Sequence, residues 1–113
     1  MSLKVSTLIL LTQNVQTKEG TDVDVFVEAH NLVDLDFLTV SDPMCSLKTR
    51  PCNFENANWT RVGETEVIDN NLNPEWIRHF NVKYIFHKDL DLCFQVWHVV
   101  SEDEKKMIGE TII

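Results

Sequence analysis

The sequence predicts an all-β fold, an antiparallel β-sandwich, on three observations. Short segments alternate strictly between apolar and polar residues, they are separated by turn-forming clusters, and no window of a dozen residues carries a helical period. Seven segments qualify. Thr7 to Gln13 is the first. In the second, Val23, Val25, Val27 and Ala29 share one face, opposite Asp22, Asp24, Phe26, Glu28 and His30. Met44 to Lys48 and Arg61 to Ile68 follow. In the fifth, Phe80, Val82, Tyr84 and Phe86 alternate with His79, Asn81, Lys83 and Ile85. Leu92, Phe94 and Val96 then alternate with Cys93, Gln95 and Trp97, and Met107 to Ile113 closes the series. Ser41-Asp42-Pro43, Asp69-Asn70-Asn71 and Asn73-Pro74 punctuate the strands as turns. Regular short strands between such turns favour two packed sheets over an α/β arrangement.

The 113 residues, 43% of them hydrophobic, suit one domain with one core, so the chain reads as a single domain over residues 1–113. The longest apolar stretch, Leu8 to Leu11, is too short for a membrane span or a signal-peptide core, which predicts a cytoplasmic protein. Cys45, Cys52 and Cys93 are an odd number without C-x-x-C spacing and read as reduced, packed thiols. Without a secretion signal, the sequon Asn58-Trp59-Thr60 reads as incidental. Eighteen acidic residues against ten basic ones give a net charge of −8, which disfavours nucleic acid and nonspecific adsorption to anionic membranes. The same acidity suits a chain that gathers carboxylates around a cation. An enzyme is not expected: there are only three glycines and no phosphate loop, no nucleophile elbow and no paired His/Glu motif.

From His30 the chain reads His-Asn-Leu-Val-Asp-Leu-Asp-Phe-Leu-Thr-Val-Ser-Asp-Pro, placing Asp36 and Asp42 six residues apart in one loop after an apolar strand. From Gly63 it reads Gly-Glu-Thr-Glu-Val-Ile-Asp-Asn-Asn-Leu-Asn-Pro-Glu-Trp, and Phe94-Gln-Val-Trp97 and Ile108-Gly109-Glu110 follow. These ordered motifs, over roughly residues 22 to 113, resemble C2 domains, and Thr65-Glu-Val-Ile-Asp-Asn70 resembles the copine version, in particular the first C2 domain of copines. The resemblance implies the C2-type sandwich of calcium- and lipid-binding domains, related to eight-stranded ones. Thr7 to Gln13 would supply its leading strand. The chain would end within the seventh strand of that topology, either trimmed before its last strand or leaving an edge open to pairing with a second copy.

The resemblance also implies a calcium site at one rim of the sandwich, with two aspartates from the first loop and about three from the third. Calcium takes 6 to 8 oxygen ligands, so it needs carboxylates from several loops. Asp36 and Asp42 match the first pair. The third-loop positions hold His98, Val100 and Lys106, so the formal charge at the five positions is −1 where the family carries −5. The metal site therefore reads as incomplete, with calcium dependence weakened or lost and no cofactor predicted; Glu102, Asp103 and Glu104 are available substitute oxygens but read as a solvated turn. Asp42 reads more readily as a tie for the Ser-Asp-Pro turn. His98, with His30, His79 and His87 on separate segments and no thiol at ligand spacing, does not make a transition-metal site.

The family's basic face, on its third and fourth strands, binds phosphoinositide head groups. Here Ser46 and Lys48 face Val62, Glu64 and Glu66, which leaves that face largely erased. What remains for a phospholipid surface is Phe37 and Leu38 at the tip of the first loop, with Lys105, Lys106 and Met107 in the third. The bland reading has Phe37, Leu38 and Met107 packed on each other. Two partner classes follow: a phospholipid membrane surface, which the family association and the apolar loop tips favour, or a protein, which the replaced aspartates favour.

Overall fold

A computed structural model of the chain describes residues 1–9, 21–35, 39–52, 56–84 and 90–113. Among these, seven strands are arranged as two antiparallel sheets: β1 (Ser2–Ile9), β2 (Thr21–His30), β3 (Pro43–Pro51), β4 (Thr60–Glu64), β5 (Phe80–Tyr84), β6 (Leu90–Val99) and β7 (Lys105–Ile112). One sheet has the order β1-β2-β5 and the other β4-β3-β6-β7. The expected antiparallel sandwich is the observed fold.

Alternation sets the register. Val25, Val27 and Ala29 of β2 are buried, as are Cys45 and Leu47 of β3, Phe80 and Val82 of β5, and Phe94 and Val96 of β6. These side chains form the core between the sheets, with Phe80 and Phe94 meeting edge to face at 6.4 Å. Fully burying aliphatic or aromatic side chains of this size contributes about 1.5–3 kcal/mol each, which fixes the faces, because a one-residue slip would turn the whole set to solvent. Every fully buried side-chain nitrogen and oxygen among the described residues has a hydrogen-bond partner.

Several strand boundaries differ from the sequence expectation; β3, for one, runs on to Pro51 where Lys48 was expected as its end. β1 lies at Ser2–Ile9 rather than Thr7 to Gln13, because Leu3 and Val5, alternating with Lys4 and Ser6, pair with Ala29 and Val27 in a register that runs from His30 to Val23 of β2; residues 10–13 of the expected strand lie outside the described residues. β4 ends at Glu64 instead of Ile68. There the buried Thr65 turns inward, its hydroxyl accepting from Cys45 N at 2.9 Å and donating to Glu66 O at 3.0 Å. β7 begins two residues before Met107, so Lys105 and Lys106 stand on a strand and not in the third loop.

Strand ends His30, Pro43, Val99 and Lys105 gather at one end of the sandwich. Three loops form that rim: loop 1 (31–42, of which 36–38 are outside the described residues), loop 2 (65–79) and loop 3 (100–104).

Candidate functional site

The rim is built mainly from hydrogen bonds between its own loops. Loop 1 leaves β2 at Asn31, whose φ of 56° is the left-handed conformation that asparagine tolerates better than most residues. Its amide donates to Asn73 Oδ1 at 2.9 Å, and the next amide, Leu32 N, donates to Leu72 O at 3.0 Å. At the far end of the loop, Asn71 N donates to Ser41 O at 3.1 Å. Loops 1 and 2 are thus joined along both flanks. Ser41 itself is fully buried. Asp34 Oδ1 accepts from Ser41 N at 3.1 Å and from its hydroxyl at 3.3 Å, while Ser41 Oγ accepts from Leu35 N at 2.8 Å.

Asp42 reaches across the rim. Its Oδ1 accepts from Asn70 N at 2.7 Å, where Asn70 has a φ of 51°. Its own N–H donates to Nδ1 of His98 at 3.0 Å, and its C=O accepts from Val99 N at 3.0 Å. The local tie expected of Asp42 at the Ser-Asp-Pro turn is therefore made by Asp34, and Asp42 links loops instead. Asp34 escaped sequence reasoning, although an aspartate seven residues before a turn serine is a visible local signal.

His98, 4% exposed, lies on β6 opposite Pro43. Because Nδ1 accepts a backbone N–H, that nitrogen carries no proton, and the ring proton of the neutral imidazole sits on Nε2. Lys106 is its neighbour across β6 and β7, and Val100 is exposed at the start of loop 3. The third loop closes on itself: Glu104 O accepts from Val100 N at 2.9 Å and from Ser101 N at 3.1 Å, leaving Glu102, Asp103 and Glu104 exposed. Asp36, the other family-matched ligand, is outside the described residues. Among the described residues, the matched positions bring together one carboxylate already accepting an amide, one imidazole nitrogen already accepting another, an apolar side chain and a lysine. That donor set does not fit a hard divalent cation, which requires several oxygen ligands.

Phe37 and Leu38, expected at the loop 1 tip, are likewise outside the described residues. Lys105 and Met107 are brought together. β7 carries one extra residue, Ile108, between the pairs Val96–Gly109 and Trp97–Met107, and this bulge turns Met107 to the side that bears Trp97. Lys105 Nζ stands 4.2 Å from the centre of the Trp97 ring, Met107 is 40% exposed beside it, and Lys106 is exposed. Trp97 Nε1 in turn donates to Ser46 Oγ at 2.9 Å.

The outer face of the four-stranded sheet retains more cation than the sequence reading allowed. Arg50 and Lys48 of β3 stand 4.3 and 5.2 Å from the Trp59 ring centre. Arg50 is paired with Asp91 at 3.0 Å and Arg61 with Glu64 at 3.1 Å, so both guanidinium groups have carboxylate partners. Glu66 lies beyond β4, its carboxylate accepting from Ile77 N at 2.8 Å and Arg78 N at 3.1 Å. Arg50, on the same face of β3 as Lys48, was missed because the expected strand stopped at Lys48, and Trp59 because only pairing in space places it beside them. Cys45 is sealed in the core, and burial, with the Cys93 thiol nearby, pushes its pKa up to about 12.

Comparison with known proteins agrees with this architecture. A family model described as C2 domain matches residues 22–113. Copine-A of Dictyostelium discoideum is 32% identical over 90 residues, covering 78% of this chain and 14% of that protein. Nicotinic receptor-associated protein 1 of Caenorhabditis elegans is 31% identical over 98 residues, covering 75% and 16% respectively. For Protein BONZAI 1 of Arabidopsis thaliana the identity is 31% over 101 residues, with 80% and 17% covered. The chain thus spans 14–17% of the length of these relatives. Among solved structures, a C2 domain of plant Extended Synaptotagmin 1 superposes with a TM-score of 0.60 at 23% identity, covering 81% of this chain and 65% of that one. A C2 domain of RIM from Drosophila gives 0.64 at 16% identity, covering 98% and 83%. The resemblance to copines read from the sequence is borne out.

Proposed function

Because the chain belongs to the C2-domain family, we propose that it is a peripheral phospholipid-binding module of copine type that meets an anionic membrane with little or no dependence on calcium. The observation that carries this reading is the surface at the β6–β7 end, where Lys105 lies on Trp97 with exposed Met107 beside it and exposed Lys106 next in the chain. On the same reading Phe37 and Leu38, the apolar residues of the first loop in the sequence, are proposed as further membrane contacts. Two lysines near an anionic surface contribute about 1 kcal/mol each, and an apolar side chain at the interface adds burial. The net charge of −8 does not cancel them, since exposed charges farther away than about 8 Å are largely screened at physiological salt. Calcium dependence is weak on this reading because the matched ligand positions lack the oxygen set that calcium needs.

Glu102, Asp103 and Glu104 at the tip of the same hairpin oppose the contact, so the membrane is met by the flank of the hairpin, with Lys105 and Met107 on its Trp97 side and Lys106 on its His98 side, rather than by its tip. Those carboxylates are also the observation that favours the second reading, a protein-interaction module whose partner presents a basic surface. Co-sedimentation with phosphatidylserine vesicles in chelator separates the two. Under the membrane reading, Lys105→Glu with Lys106→Glu lowers vesicle binding by at least about 30-fold, the equivalent of two lysine contacts, and Glu102→Gln with Glu104→Gln raises it. Unchanged vesicle binding in the lysine variant would remove the proposed contact and shift the assignment to a protein partner.

A further inference from the structure

The geometry points to Asp42 as a positioning residue: held by Asn70 and His98, it locks loops 1 and 2 to the end of β6 and so presents the Lys105–Met107 surface in place without a bound cation. Its consequence for binding rests on the membrane reading above; the lock itself does not.

The bonds of Asp42 run to two other segments of the rim. The carboxylate oxygen takes the Asn70 amide at 2.7 Å, while the main chain both donates to His98 and accepts from Val99 at 3.0 Å. A bond to an ionised carboxylate is about twice as strong as one between neutral groups. Asn70 presents its N–H because its φ of 51° turns the backbone toward loop 1. The two β6 residues held by Asp42 are the cross-strand neighbours of the lysines, with His98 opposite Lys106 and Val99 opposite Lys105. The carboxylate therefore ties loop 2 to Asp42, and the main chain of the same residue carries that tie on to the β6 neighbours of the lysines, so losing the carboxylate frees loop 2 first and reaches β6 only through the main chain of Asp42. In this arrangement a backbone amide orients the carboxylate, a task a divalent ion would perform in a site rich in carboxylates. The acceptor oxygen matters more than the negative charge, and this separates a lock from a metal ligand.

The test uses the whole chain in chelator and reads amide hydrogen exchange at Asn70 and Val99, together with pelleting on phosphatidylserine vesicles. Asp42→Asn keeps an oxygen and loses the charge, Asn70→Gly keeps the N–H and accommodates the positive φ, and Asp42→Ala removes the acceptor. We expect Asn70→Gly to exchange within about threefold of the unmodified chain, Asp42→Asn to exchange only several-fold faster because it keeps a neutral acceptor, and both to pellet equally. In Asp42→Ala, exchange at Asn70 accelerates by roughly 10- to 100-fold, as loss of a hydrogen bond to a charged group implies, and pelleting falls several-fold. If Asp42→Ala does not fold, Asp42→Glu, which shifts the oxygen by one methylene, is expected to show the same acceleration. Unchanged exchange in the variant that lacks the acceptor overturns the lock, as does an Asp42→Asn variant that behaves like Asp42→Ala. Failure of the unmodified chain to pellet would sink the membrane reading, and the exchange arm would still decide the lock.

Discussion

Loops 1 and 2 and the end of the β6–β7 hairpin share one rim but treat their polar groups in opposite ways. In the loops, Asn31, Asp34, Ser41, Asp42 and Asn70 turn toward one another, and their bonds close within the molecule. At the hairpin, Lys105 and Met107 are exposed on the Trp97 side and Lys106 on the other, and among the described residues the Lys105–Trp97 contact holds a lysine to the sheet. The difference separates a support from a contact. A closed hydrogen-bond network fixes shape, whereas an exposed cation beside an exposed apolar side chain has its strongest remaining interactions outside the molecule.

The largest effect is expected where the core supports both regions. Trp76 is buried and its indole donates to Pro43 O at 3.2 Å, next to Asp42. Trp76→Ala should destabilise the domain by about 3–5 kcal/mol in urea unfolding, and exchange should accelerate in loop 2 and in β6 together; acceleration in loop 2 alone would mean that the two regions do not share this support. Asp34→Ala acts on the support only. It removes the carboxylate that accepts from Ser41, at about 1–3 kcal/mol, and should speed exchange in loop 1 while leaving β7 amides unchanged.

A third prediction concerns pH. The Cys45 thiol titrates near 9.0 when exposed and is pushed up to about 12 in the fold. Between those values the unfolded chain loses a proton that the folded chain keeps, so the stabilisation present below pH 9.0 declines as pH rises, by about 1.4 kcal/mol per pH unit. Cys45→Ala should remove that part of the alkaline slope; an unchanged slope would assign it to other groups. The smallest effect belongs to the contact region: Lys105→Gln should alter stability by only about 0.5–1 kcal/mol, the scale of an exposed cation–π pair, while weakening vesicle binding. A stability loss above about 2 kcal/mol would make Lys105 part of the support.

β2 was legible because its buried residues alternate without interruption, and β6 for the same reason. β1 was displaced in the reading because the apolar run Leu8 to Leu11 outweighs the quieter alternation of Leu3 and Val5, whose partners become visible only through pairing with β2. At the rim, the sequence identified His98 as a replacement for a carboxylate, but its bond to the Asp42 amide joins residues 56 positions apart and leaves no local pattern. The Arg50–Trp59 contact was hidden in the same way. Lys105 and Lys106 were legible as cations, while the bulge at Ile108 that turns Met107 beside Trp97 depends on strand register.

The most direct measurement of the central claim is co-sedimentation of the chain with phosphatidylserine vesicles in parallel calcium and chelator series. The account predicts equal pelleting in both, abolished by Lys105→Glu with Lys106→Glu. Pelleting that appears only with calcium would contradict it and would mean that Asp36 and Asp42, with oxygens recruited from Glu102 to Glu104, assemble the cation site after all.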